Sequence, residues 1–301
     1  MEVQAAALTV KRGGVFSRFV ENTFKYLMIA PMTVVLAAIS LYPFVFAVRL
    51  ALTNARTINI NAPKWVGVNN FISILGSTRF WESTVLTVVY VASVLVLEVV
   101  LGLLLAILVD KVIKAQKWLV SLLITPMLIS TILCGIIFRL ELNPQFGVFS
   151  YYLKQLGLGG NWLDTRHALV SMIFIDVWQW TSFIFLIAFA GLKSLPVEPF
   201  EAARVYGAKP WQTFWMVTLP LVRPVLMVAV VFRLMDAFKA FDHMYIMTAG
   251  GPDFATTTWS VLAYNYAYTS DHFGRACAMA IILLIIVTLI VKQLLKLAKW
   301  R

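Results

Sequence analysis

Four charged residues, Arg233, Asp236, Lys239 and Asp242, stand in the otherwise strongly apolar segment 225–242. A charge at bilayer depth is expensive and usually faces protein, water or a counter-ion. At about 100° per residue along a helix, Arg233, Asp236 and Ala240 share one face, with Lys239 at its margin. Small Ala237 and Ala240 leave room beside them. Two readings of this face stand. One is a polar, partly wet pocket that binds a hydroxyl-rich solute. The other is an Arg233–Asp236–Lys239 network that only locks helices together. A second apolar segment offers Asp176, Trp178, Gln179 and Trp180, with Phe183 one turn on. Aromatic faces stack on the apolar faces of sugar rings, and carboxylates and amides exchange hydrogen bonds with hydroxyls. The plainer reading of two tryptophans in an apolar helix is interfacial anchoring or packing. Glu98 stands alone in its segment and reads as a snorkelling or packing residue. His167, His243 and His272 fall outside the apolar segments and lack ligand spacing, while Cys134 and Cys277 read as small core residues. No catalytic residue and no metal site are expected.

These residues need helices to carry them. Of the 301 residues, 61% are hydrophobic and only 13% are charged. That much apolar surface cannot be hidden in a soluble domain, so the chain reads as an all-α, polytopic membrane protein. A span takes roughly 20 mostly apolar residues. Residues 26–48, 83–109, 118–138, 168–192 and 225–242 are five candidates. A sixth, Ala276–Val291, is short and needs Arg275 or Lys292 to snorkel. Six transmembrane helices are expected. The net charge of +11 is carried mostly at the ends of the apolar runs, as membrane anchors are, and does not suggest nucleic acid. Residues 1–25 hold Lys11, Arg12, Arg18 and Lys25 without an apolar core and read as a cytoplasmic N-terminal segment, not a signal peptide. Taking that end as inside, the inner segments hold fifteen Lys and Arg against eight on the outer ones. Both termini and the segment 193–224 are therefore expected in the cytoplasm.

Segment 193–224 carries five prolines and six charges, too polar to span. Pro199 suits the first turn of a helix. Glu201 and Arg204 are spaced to pair across one turn, and Gly207 can end the helix in a left-handed conformation. Pro210 can open a second helix, with Trp211, Phe214 and Trp215 on one face, leading back into the membrane near Pro220. Small Ala202, Ala203 and Gly207 allow another protein to approach closely. An interfacial helix lying on lipid headgroups is the alternative that amphipathicity alone supports.

The pattern Glu201-Ala202-Ala203, three residues, Gly207, nine residues, Val217-x-Leu219-Pro220 resembles the EAA loop of ABC-importer permeases. Val217 replaces the usual isoleucine, and Tyr206 the aspartate common before the glycine. The segment from Phe238 through Gly250-Gly251-Pro252, followed by Thr256-Thr-Thr and Tyr264, resembles the signature of the maltose-type half of carbohydrate importers. Trp65-Val-Gly-Val-Asn-Asn-Phe71 agrees with it. The resemblance implies a transmembrane permease domain over 26–298 with the type I importer (MetI-like) core. It implies that Glu201, Ala202, Ala203, Gly207, Leu219 and Pro220 couple to an ATPase. It also places solute contacts near Trp178, Trp180, Phe183, Arg233, Asp236, Ala237 and Ala240. By the same resemblance the partners are a homologous second permease, two ATPase subunits, an extracytoplasmic solute-binding protein and a carbohydrate or carbohydrate-like solute. The setting is the cytoplasmic (inner) membrane of a prokaryote. The chain has no Gly-x4-Gly-Lys-Ser/Thr loop, so it is expected to hold no cofactor itself, with ATP and Mg on the partner ATPase. Arg233 and Lys239 would suit an anionic solute, but Asp236 offsets one of them. An ion-coupled secondary transporter would use Asp176 and Asp236 as a titratable pair, yet needs inverted repeats that are not seen. A membrane-embedded enzyme would need clustered ligands that are absent from the sequence.

Overall fold

Among the described residues, 15–112 and 114–299 of a computed structural model, the chain is helical, with one isolated bridge between Thr53 and Trp65. Lys11, Arg12 and Arg301, counted above for orientation, lie outside them. The chain divides into two units, residues 1–49 and 50–301. The first holds nearly all of α1 (Val15–Ala51), which starts well before the expected span at 26. It keeps Pro31 and Pro43 inside the helix.

In the second unit, α2 (Asn69–Leu75) precedes α3 (Thr78–Asp110). Ser77 caps α3 by accepting from the Phe80 N–H at 3.2 Å, satisfying an end donor that has no partner within the helix. The expected span 118–138 is not one helix. It divides into α4 (Gln116–Ile124) with a 3₁₀ turn to Leu128, then α5 (Thr131–Glu141), bent by 90°. Pro126 opens that turn and Ile129 is extended, so the helical ladder cannot continue. The carbonyl freed at Ile129 accepts from Gln179 Nε2 at 2.6 Å, which makes the break a supported feature of the membrane interior. Among the described residues, five helices are long and apolar enough to cross a bilayer, and the bent pair makes the sixth crossing if it counts as one.

A short α6 (Val148–Gln155) leads to α7 (Ala168–Lys193), the most buried of the long helices. It runs along α3 over much of its length. Gly102 permits this, since a Cβ there would lie 2.8 Å from Ile184 of α7. Lys193 closes the far end with an ion pair to Asp110 at 2.8 Å. Next come α8 (Glu198–Val205), α9 (Pro210–Thr213) and α10 (Leu219–Ala237), the last two joined by a π turn over Phe214–Thr218. Pro220 has no N–H and its ring crowds the preceding carbonyl. The wider π turn just before it lets the helix pass without breaking. A further turn carries α11 (Asp242–Thr248), α12 (Trp259–Tyr264) and the last span, α13 (Phe273–Lys299), much longer than the sixteen-residue core read from sequence.

Candidate solute pocket and coupling loop

Arg233 is 1% exposed, and its guanidinium is surrounded by carboxylates from three helices. Its Nε and Nη2 donate to the two Glu98 oxygens of α3 at 2.8 and 3.0 Å, a fork-to-fork pair. Nη2 also donates to Asp176 of α7, and Nη1 to Asp236, one turn on in α10, at 3.2 Å. Glu98 therefore does not stand alone. It is the main partner of Arg233, drawn inward because an unpaired arginine in hydrocarbon would cost far more than the pair. Lys239 lies past the end of α10, is exposed, and joins no ion pair among the described residues. The locking network is thus Arg233 with Glu98, Asp176 and Asp236, without Lys239. Asp176 and Asp236, which an ion-coupled reading takes as a titrating pair, share one guanidinium.

The guanidinium carbon lies 5.2 Å from the Trp180 ring centroid, and Trp180 meets Phe183 edge to face at 6.3 Å. Asp236 keeps 49% of its side chain exposed. Trp180, Phe183, Arg233 and Asp236 are thus brought together, offering an aromatic face beside an accessible carboxylate. Trp178 points elsewhere: it meets Phe138 edge to face at 5.4 Å and lines an apolar groove of about 860 Å³ with Leu97, Leu101 and Phe174. Ala237 is buried in the core, and Ala240 is partly buried against it.

The sequence missed several supports for this region. His243, read as lying outside the spans, is buried and bonds Tyr90 of α3 at 3.2 Å. Tyr90 and Glu98 are eight residues apart, near two helical turns, which is the signal that could have placed both on the core face of α3. Thr256, Thr257 and Thr258 are buried too. Thr257 Oγ1 donates to the Gly250 carbonyl at 2.8 Å, and Gly250 has φ +88. A Cβ on Gly250 would lie 2.7 Å from that hydroxyl, so this turn requires glycine. The Gly-Gly-Pro segment is therefore a buttressed corner that fixes the chain after α11.

At the other end of α10, Pro199 sits in the first turn of α8 and Gly207 follows it at φ +69, as the sequence suggests. The expected Glu201–Arg204 ion pair does not form within 4 Å among the described residues. Glu201, Ala202, Gly207 and Pro220 are exposed, while Ala203 and Leu219 are partly buried. Phe200 and Arg204 face a cleft of about 630 Å³ shared with Ile107, Leu192 and Phe214. Val205 and Tyr206 project outward, Tyr206 with 89% exposure. The loop thus presents small and apolar surface with two exposed acidic residues, Glu198 and Glu201, and runs through the π turn into the helix that carries Arg233.

Comparison with known proteins agrees with this architecture. A trehalose/maltose transport system permease protein, MalF, of Thermococcus litoralis is 33% identical over 286 residues, covering 94% of this chain and 96% of that protein. An sn-glycerol-3-phosphate transport system permease protein, UgpA, of Rhizobium meliloti is 28% identical, covering 89% and 92%. The fold matches a solved bacterial ABC transporter involved in import of the acidic polysaccharide alginate, with TM-score 0.81, 21% identity, and coverage of 95% of this chain and 99% of that one. The sequence pattern of the family described as binding-protein-dependent transport system inner membrane component matches residues 98–298. On that match, and on the alignment with a relative over nearly all of both chains, this multi-pass chain belongs to the family of inner-membrane permease components of binding-protein-dependent transport systems.

Proposed function

We propose that this ABC-importer permease carries a carbohydrate or carbohydrate-like solute, with Trp180, Phe183, Arg233, Asp236 and Ala240 at its solute path. Relatives named as trehalose/maltose, multiple-sugar and starch-product permeases support that class. In this reading it pairs with a homologous permease and two ATPase subunits, which hold the ATP and Mg, and receives solute from an extracytoplasmic binding protein. A periplasmic protein in complex with a transporter of the same fold supports the last point. Both termini and segment 193–224 lie in the cytoplasm.

The observation that carries the proposal is mechanical. From Pro210 the chain runs as helix, through one π turn, to Ala237, so the exposed Glu201 elbow and the Arg233–Asp236 site are joined by one nearly unbroken element. Closure of the ATPases moves the elbow, and α10 carries that movement to the solute path. Solute enters from the binding protein in one state and leaves to the cytoplasm in the other. The test is Glu201→Arg in the assembled transporter. The variant inserts normally but loses ATPase attachment and ATP-driven uptake. Normal uptake by that variant would overturn the coupling assignment.

A further inference from the structure

Arg233 gives the site the look of an anion receptor, but three carboxylates face its single guanidinium. Glu98 and Asp176 hold it from the buried side, with exposures of 0% and 2%, and Asp236 occupies the open side. A solute approaching beside Trp180 therefore meets the half-exposed Asp236 carboxylate, with the guanidinium already engaged behind it. Lys239, counted in full, still leaves the carboxylates in excess. A proton on any one of them does not make the cluster with Lys239 positive. In a low-dielectric surrounding such an imbalance acts over several ångströms with little screening. The acceptor on Asp236 and the rings of Trp180 and Phe183 suit neutral polyols, whose hydroxyls donate and whose ring faces stack.

We propose that this pocket admits uncharged polyhydroxyl solutes and excludes phosphorylated or uronic ones, with Glu98 as the positioning residue that neutralises Arg233. The inference rests on the solute-path reading above. Two permeases of this architecture carry anionic solutes in their names, those for sn-glycerol-3-phosphate and alginate. Neither the fold nor the family therefore decides the solute's charge. The balance of charge around Arg233 does.

The test uses the assembled transporter of both permeases and the ATPases in nanodiscs, without the binding protein, whose own selectivity would otherwise mask the pocket. Saturation-transfer NMR is read for trehalose and for trehalose 6-phosphate at equal millimolar concentration. Wild type transfers strongly to trehalose and only weakly to its phosphate. Glu98→Gln breaks the fork that engages the Arg233 guanidinium from behind and raises the phosphate-to-neutral ratio on the order of tenfold. Asp236→Asn, at a half-exposed position, raises the same ratio should Glu98→Gln not assemble. A loss of fold alone would weaken both signals together and leave the ratio unchanged. Strong transfer to trehalose 6-phosphate in the wild type, or a ratio that neither variant moves although Asp236→Asn still assembles with its ATPases and keeps the wild-type unfolding midpoint, overturns the charge inference and leaves the pocket standing. Trehalose transfer that is absent from the wild type, or indifferent to Asp236→Asn, overturns the pocket itself.

Discussion

A guanidinium inside the membrane survives only where its donors are satisfied, and Arg233 has carboxylates on three sides. Removing it leaves Glu98 and Asp176 buried without a counter-ion, which is the costly way to break such a cluster. Arg233→Ala should therefore destabilise the protein by about 3–5 kcal/mol. Arg233→Lys keeps the charge but loses the planar fork that meets both Glu98 oxygens, so it should recover only part of that loss. Lys239→Ala, at an exposed position outside the cluster, should change stability by less than about 0.5 kcal/mol. Thermal unfolding of the three variants in detergent checks the order. Equal midpoints for Arg233→Ala and Lys239→Ala would reduce the cluster to incidental contacts. The sequence made Arg233 and Asp236 visible because charge stands out in an apolar run. Glu98 was misread because its partner lies 135 residues away, a separation no local pattern reports.

At the scale of elements, the least legible parts were those fixed by distant contacts. The outline of the loop 193–224 was legible, though not its expected Glu201–Arg204 pair, because proline and glycine impose local geometry at Pro199, Gly207 and Pro210. The break near Ile129 was not, because its support, Gln179, comes from another helix. The loop after α1 and the residues before α13 are tied in the same non-local way. Thr57 donates its N–H at 2.9 Å and its hydroxyl at 2.5 Å to Asp271. Those two bonds stabilise the ionised carboxyl and hold Asp271 below the ordinary aspartate range. A depressed folded-state value means the clamp contributes stability above the unfolded-state value and loses it as pH falls through the lowered one. Hydrogen exchange at the Thr57 amide should stay protected from neutral pH through the ordinary aspartate range, then lose protection in stronger acid. In Asp271→Asn that acid-dependent step should vanish. An unchanged step in the variant would assign the transition to another group.

For the molecule as a whole, the five long apolar helices and the bent sixth segment followed from hydropathy because backbone groups in lipid must be satisfied within helices. The proposed path of force did not follow, since it depends on whether α9 and α10 are one lever or two. The sequence placed a second amphipathic helix leading into the membrane near Pro220. The structure joins it to α10 through the π turn at Phe214–Thr218. If that turn transmits movement, softening it should separate hydrolysis from transport. Met216→Gly with Val217→Gly costs about 1 kcal/mol of helix propensity over the two sites together and leaves the exposed Glu201 elbow intact. The assembled variant in proteoliposomes should keep its ATPase subunits attached and hydrolysing while uptake falls at least tenfold. Loss of attachment would mean that the turn belongs to the docking surface. Uptake and hydrolysis that remain coupled at the wild-type ratio would mean that force reaches the Arg233 cluster by another route. The remaining candidate is the cleft where Phe200 and Phe214 lie against Ile107 of α3 and Leu192 of α7, the two helices that hold Glu98 and Asp176.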